Sequence, residues 1–322
     1  MAAPRDTAVV LACNAGYVPY ALALLDGLAR RHPDRAFDLC LFTDAAIEPP
    51  AGLAFSDLRV IIARGDTPFL AMDGRSRHGT ATYLRLLVPS HVRGLYRRVL
   101  YLDSDMLPLG PGIDGLLGTE LHGAALGAVR DNQQWRTPSR HVEEFRRAGL
   151  PSAPYFNAGL LLIDVERFEA DRILDRSVDL MRSRPDLMPR HDQSLLNLVL
   201  YRAWTELSPV WNWQHSGASR FFIPLAEPRL VHFIGPRKPW ADEAAQLPAS
   251  WRRTYRDFQR RCYPDRPGLV TADADRPTWP TGLAKSFVRH ALGAPRMRRY
   301  LQAFPHPLAT RPPDPLPGAA PF

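Results

Sequence analysis

Cysteine, lysine and long apolar runs are scarce in this chain. Three cysteines in 322 residues, Cys13, Cys40 and Cys262, are too few and too scattered for a disulfide framework or a zinc cluster. No run reaches about 18 apolar residues, which excludes a hydrophobic transmembrane helix. The opening MAAPRDTAVVLAC lacks a basic region ahead of a long apolar core. No secretory signal is therefore expected, and a reducing cytoplasm is the expected compartment. Only Lys238 and Lys285 stand among 41 basic residues. A GC-rich genome explains such an arginine bias, and it makes each lysine worth inspection.

The rest is ordinary for a globular chain. A composition 45% hydrophobic and 23% charged excludes global disorder, collagen and a coiled-coil rod. The length suits one large domain or two small ones. The net charge of +8 is unevenly placed: residues 1–240 hold 28 basic against 26 acidic residues, and residues 241–322 hold 13 against 7. The excess belongs to the C-terminal quarter, which argues against a nucleic-acid partner.

In the first 130 residues short apolar runs alternate with helix-like stretches. Strands are expected at Thr7–Cys13, Phe37–Thr43, Leu58–Ala63, Arg98–Leu102 and Gly123–Val129, with helices at Pro19–His32 and Thr82–His91. That rhythm predicts βαβ units and a largely parallel sheet. Beyond residue 135 the pattern mixes a helix at His141–Ala148, a strand at Phe156–Ile163 and a long amphipathic helix at Val165–Arg184. A buried helix at Asp192–Tyr201 and a late strand at Leu230–Ile234 follow. From Pro305 onward seven of eighteen residues are proline, so 305–322 reads as a disordered tail.

Asp103-Ser104-Asp105 is the first chemical candidate. Carboxylates at i and i+2 can clamp a hard divalent cation and leave positions for phosphates. Composition alone predicts roughly two such triplets, and Asp273-Ala274-Asp275 is the other. Only Asp103 ends an apolar strand, Val99–Leu102, where open α/β sheets bind ligands; Asp273 reads as a surface loop. His232 ends another apolar strand, followed by Gly235, Pro236 and Lys238. A lone strand histidine is commonly a satisfied core residue, but here it can complete an Asp/Asp/His site. Mixed oxygen and nitrogen ligation favours Mn²⁺ over Mg²⁺. Lys238 can meet a phosphate as a compact charge. In Tyr155-Phe156-Asn157-Ala158-Gly159, Asn157 offers donor and acceptor to a polyol, or serves a structural turn. Asp192 and Gln193 open a helix either as a cap or as sugar contacts.

Six segments taken in order, AVVLACNAGYVPYALALLDGL, ATYLRLLVP, RVLYLDSDMLPLG, YFNAGLLLIDVERF, HDQSLLNLVL and HFIGPRKPW, resemble glycosyltransferase family 8. That family includes bacterial lipopolysaccharide galactosyl- and glucosyltransferases and glycogenin. The resemblance implies a GT-A fold: a Rossmann-like mixed central sheet flanked by helices, here residues 1–245, with a basic helical extension at 246–304. It implies retaining transfer of galactose or glucose from a UDP-sugar to a glycan or glycolipid acceptor. Mn²⁺, or Mg²⁺ in its place, would be held by Asp103, Asp105 and His232. Ala12, Asn14, Tyr17, Arg85, Ser104, Asn157, Ala158, Gly235 and Lys238 are the implied donor contacts, and Asp131, Asp192 and Gln193 the implied reaction-centre residues. Asn14 stands where many relatives carry a carboxylate, and its amide can still pair with a uracil edge.

Residues 252–304 mix arginines with Phe287, Val288, Leu292 and Met297 around Pro295. Two short amphipathic pieces there would suit an anionic membrane surface; a solvated basic helix packed on the catalytic domain fits equally. Two other functions use the same residues: a non-catalytic sugar-nucleotide binder, and a metal-dependent phosphohydrolase in which water replaces the acceptor.

Overall fold

The run TAVVLAC forms β1 (Thr7–Cys13) in a computed structural model that describes residues 5–63, 83–278, 283–314 and 322. Along the chain follow α1 (Val18–Arg31), β2 (Asp38–Thr43), β3 (Leu58–Ile62), α2 (Leu84–Val92), β4 (Arg98–Leu102), β5 (Met106–Pro108), α3 (Ile113–Leu117) and β6 (Leu126–Arg130). The middle holds α4 (Glu143–Arg147), β7 (Phe156–Asp164), α5 (Val165–Ala170), α6 (Ile173–Ser183), α7 (His191–Val199) and β8 (Thr205–Leu207). Then come β9 (Trp213–Gln214), α8 (Ile223–Ala226), β10 (Leu230–His232), α9 (Ala249–Cys262), α10 (Leu283–Gln302) and β11 (Thr310–Arg311).

Eight strands form one sheet in the order β11-β8-β6-β7-β4-β1-β2-β3. β1 is parallel to β2 and β4, as continuous apolar strands buried on both faces require. β7 lies antiparallel between β4 and β6, so the sheet is mixed. A small second sheet has the order β5-β10-β9. One core packs α1 through Leu22, Leu25 and Leu28 on one face; the other covers the opposite face with residues of α2, α5, α6 and α7.

Four sequence expectations need correction. The stretch Val165–Arg184 is not one helix: Arg172 adopts φ +52° and divides it into α5 and α6. The hydrophobic pattern survives the break because Phe168, Ile173 and Val178 all still reach the core. Pro295 does not divide the later part of the basic segment, because it lies inside the single helix α10. Nor is 246–304 an appended unit. Trp251, Tyr255 and Phe258 of α9 and Met297 and Tyr300 of α10 join the same apolar core as α1.

The proline-rich tail is ordered through residue 314. Thr310 and Arg311 pair antiparallel with Leu207 and Glu206, and Trp211 Nε1 donates to the Pro307 carbonyl at 2.8 Å. Prolines flank a two-residue edge strand here and cost no ladder bond. Glu206 anchors the arrangement from inside. It takes two hydrogen bonds from buried Arg130, at 2.8 and 2.6 Å, and one from the Tyr300 hydroxyl at 3.1 Å. Residues 315–321, and Ala81 and Thr82 of the ATYLRLLVP segment, lie outside the described residues.

Candidate active site

The site forms where β4 and β10 end and β7 begins. Asp103 follows the last residue of β4, and its amide donates to the Gly159 carbonyl at 2.8 Å. Asp105 leads into β5, whose pairing with β10 sets Met106 opposite His232. Asp103, Asp105 and His232 thereby converge, with one ligand atom from each lying within 4.8 Å of the others.

The histidine is oriented for such a role. Its Nδ1 lies 3.0 Å from Asn212 Oδ1. Asn212 Nδ2 donates to Asn157 Oδ1 at 2.9 Å, so Oδ1 is the end that accepts the imidazole proton. Nε2 then faces the carboxylates, 3.1 Å from Asp105 and 3.8 Å from Asp103; protonated it donates to Asp105, and neutral it offers its lone pair to a cation. Orientation of a ligating imidazole through its second nitrogen is the usual support for a metal-binding histidine. Oxygen donors from two aspartates and one neutral imidazole nitrogen suit a divalent cation of the Mn²⁺ type.

Lys238 Nζ donates to Asp105 Oδ2 at 2.6 Å and to the Phe233 carbonyl. Burial by itself would raise the Asp105 carboxyl, but His232 and Lys238 hold it below the ordinary range. The ammonium thus sits at the edge of the cation cluster.

A cleft of about 270 Å³ opens beside it, lined by Arg85, Asp103, Asn157, Ala158, Asp192 and Gln193 among others. Arg85 of α2 is buried among polar partners and lies over the Tyr101 ring. It pairs with Asp103 at 3.0 Å and Asp192 at 2.9 Å, and donates to the Ala158 carbonyl at 2.6 Å. Gln193 Oε1 accepts from Asn157 Nδ2 and the Ala158 amide, both at 3.1 Å, while its Nε2 donates to Asp131 Oδ2 at 3.2 Å. A continuous hydrogen-bonded line therefore runs from His232 through Asn212, Asn157 and Gln193 to Asp131.

β7 makes this possible by bulging. Its register with β6 shifts between Ala128 opposite Leu161 and Val129 opposite Asn157, leaving Ala158 and Gly159 free to face the site. Gly159 is needed for a particular reason: a Cβ there would lie 2.2 Å from His232 Cε1. The bare glycine backbone thus gives the imidazole its seat against β7.

Burial raises the Asp192 carboxyl to about 6, against the opposing pull of Arg85. Its folded value thus exceeds the unfolded one, so the native state binds the extra proton and loses stability as pH rises from about 4 to 6. The full effect is at most about 3 kcal/mol. Denaturant titrations of wild type and Asp192→Asn should show the variant gaining relative stability between pH 4 and pH 7. A difference independent of pH would contradict this.

The remaining expected contacts sit at the same sheet edge without joining the cluster. Ala12 is buried at the end of β1 and Ser104 is buried between the two aspartates. Asn14 is exposed in the turn before α1, where its carbonyl accepts from the Tyr17 amide at 3.0 Å. Tyr17 exposes 44% of its surface, and Gly235 has open space where a side chain would begin. Sequence reasoning missed Asn212 and Tyr101, whose hydroxyl donates to Asp103 Oδ1 at 2.8 Å. The one available sign of Asn212 was a polar side chain between two tryptophans, which must find a buried partner.

A mixed α/β sheet carrying this polar cleft at its strand ends is a GT-A glycosyltransferase fold. It superposes on galactosyltransferase LgtC, solved with donor and acceptor sugar analogs, at a TM-score of 0.63 with 22% identity over 86% of this chain and 99% of that one. Residues 8–244 match glycosyl transferase family 8, and the chain belongs to that family. It is 29% identical to General stress protein A of Bacillus subtilis over 50% of this chain and 59% of that one. It is 30% identical to lipopolysaccharide 1,3-galactosyltransferase of Salmonella typhimurium over 50% of this chain and 49% of that one. The matched regions thus span about half the length of these relatives. No described helix is long and apolar enough to cross a membrane.

Proposed function

We propose that this glycosyltransferase moves galactose or glucose from a UDP-sugar to a glycan or glycolipid acceptor, with retention at the anomeric carbon and dependence on Mn²⁺ or, less well, Mg²⁺. The observation that carries this reading is His232, turned by Asn212 so that Nε2 faces Asp103 and Asp105 beside the polar cleft. Held by those three residues, a divalent cation would neutralise charge on the diphosphate. The near-neutral first 240 residues still speak against a nucleic-acid partner.

The departing UDP gains negative charge on its β-phosphate. Lys238 lies where an ammonium would counter that charge, and the open backbone at Gly235 lets a phosphate approach. Arg85, Asn157 and Asp192 would orient the hexose as it gains oxocarbenium character. Gln193 is bonded at both ends of its amide and is an intrinsically poor nucleophile. That supports attack on the same face as departure, with UDP accepting the acceptor proton, over a covalent intermediate on Gln193 or Asp192. Ala12, Asn14 and Tyr17 would receive the uracil, Tyr17 by stacking. Ser104 would contribute from between the metal-binding carboxylates.

A thermal-shift panel of nucleotide sugars tests the donor assignment. UDP-galactose or UDP-glucose should stabilise the chain only with Mn²⁺ present, and the corresponding GDP-sugars should not. Equal shifts without metal would overturn the reading.

We further propose a cytoplasmic protein that touches the membrane through α10. Phe287, Val288 and Leu292 are 67%, 58% and 78% exposed and neighbour Arg289, a combination suited to an anionic surface. Co-sedimentation of the full chain with phosphatidylglycerol vesicles should fall about tenfold in Phe287→Ser/Leu292→Ser. Unchanged binding would remove the membrane assignment.

A further inference from the structure

Two cavities larger than the cleft at the metal-binding cluster lie between α10 and the segment that follows Asp131. One is about 660 Å³ and the other about 480 Å³, and they share Arg136, Thr137 and Arg296. Arg299 and Arg311 line the first; Arg140 and Arg289 line the second. Neither lining includes an aspartate or glutamate. Among the described residues, the carboxylate nearest this arginine group is Glu206, already engaged by Arg130 and reached by Arg311 at 3.4 Å.

So dense a cluster of guanidinium groups is costly without a counter-charge. Arg136 shows the strain: burial first, then the charges of Arg289 and Arg296, lower it from its ordinary value. The fold nevertheless builds room for it. A Cβ on Gly293 of α10 would lie 2.9 Å from Arg136 Nη1, so the glycine lets the guanidinium lie against the helix. Trp135 and Tyr300 border the larger cavity but are buried, their rings stacked on each other with centroids 6.1 Å apart, so the accessible wall is made by the arginines. Arginine forks bind oxyanions in a bidentate manner.

The location ties the cavities to the chemistry. Asn132 and Gln133 line the smaller one and directly follow Asp131. The Gln133 amide donates to Asp131 Oδ1 at 3.1 Å, while Asp131 Oδ2 holds Gln193.

We propose that this arginine-lined cleft is a subsite for a phosphate group borne by the acceptor glycan, at a position removed from the hydroxyl that receives the sugar. The assignment rests on the transferase reading above and specifies its acceptor: a phosphorylated oligosaccharide in preference to a neutral one. Cavities between α10 and the segment that follows Asp131, bordered by Asn132 and Gln133, favour a phosphate on a glycan that reaches the reaction centre over the flat array of head groups at a membrane. Of the residues assigned to the membrane surface, Phe287 and Val288 belong to neither lining, whereas Arg289 and Leu292 border the smaller cavity, which is why the vesicle measurement accompanies the phosphosugar titration.

The test uses the full chain and glucose 6-phosphate, glucose and UDP with Mn²⁺ as probes, titrated calorimetrically at constant ionic strength. Wild type should bind glucose 6-phosphate but not glucose. Arg136→Gln/Arg296→Gln should bind the phosphosugar at least about tenfold more weakly, and Arg136→Lys/Arg296→Lys should fall between. UDP binding with Mn²⁺ and binding to phosphatidylglycerol vesicles should match wild type in both variants. Removing like charges should leave the melting temperature unchanged or raised. Equal phosphosugar affinity in wild type and the Gln variant, or none in wild type, would overturn the subsite. So would vesicle binding lost in the Gln variant while phosphosugar binding is unchanged, which would assign the arginines to lipid head groups. Failure of wild type to bind UDP with Mn²⁺ would instead overturn the transferase reading, a result separate from the phosphosugar titration.

Discussion

Asp105→Ala is expected to abolish transfer and to weaken Mn²⁺-dependent UDP binding at least about a hundredfold. The estimate starts from supporting residues, whose loss alone typically costs 10- to 100-fold in metal affinity; a direct ligand should cost no less. Asp105 also accepts from Lys238 at 2.6 Å and faces His232 Nε2 at 3.1 Å. Its removal frees the ammonium and strips half the carboxylate pair in one step. His232→Ala should show the same loss of metal dependence while leaving Lys238 on Asp105. Asn212→Ala supplies the graded comparison, because it keeps all three ligands and removes the acceptor that orients the ring together with the donor to Asn157. Calorimetric titration of UDP with and without MnCl₂ measures all three. Wild-type turnover in either ligand variant would end the metal-site assignment.

Gly159→Ala should disable the same site without touching a ligand. The new methyl would meet His232 Cε1 at 2.2 Å and Nδ1 at 2.6 Å, distances no Cβ adopts. The ring has little freedom to retreat, since Asn212 holds Nδ1 and β10 fixes its backbone opposite Met106. Such overpacking costs about 1–3 kcal/mol. The displaced imidazole should lower Mn²⁺ affinity as strongly as His232→Ala does. Gly235→Ala is the matched control for stability, having no atom within 4 Å of the added carbon. A Gly159→Ala protein with wild-type melting temperature and Mn²⁺ affinity would show that β7 yields more readily than its hydrogen bonds imply.

The two glycines were alike in sequence, both small residues beside candidate ligands. Their surroundings separate them: one backs onto an imidazole and the other onto open space. The same contrast explains the tail. Proline content predicted disorder for 305–322, yet Thr310 and Arg311 find an edge strand, and the Pro307 carbonyl finds the Trp211 indole. Composition reports what a segment can bury by itself; it is blind to an acceptor or donor waiting on another element.

Hydrophobic pattern alone put the chemistry-bearing residues on strands: Asp103 just past the end of one, His232 within another, and Asn157 at the start of a third. Local hydrophobic pattern suffices for that, because period and run length dictate which segments become buried strands and where they stop. Tertiary structure alone decided which polar groups meet. Asn212 touches both His232 and Asn157 across 20 and 55 residues, and Arg136 meets α10 through Gly293. Such contacts depend on the bulge in β7, the pairing of β5 with β10, and the packing of α10 against the core. Each is a long-range outcome of burial, to which no short window of sequence has access.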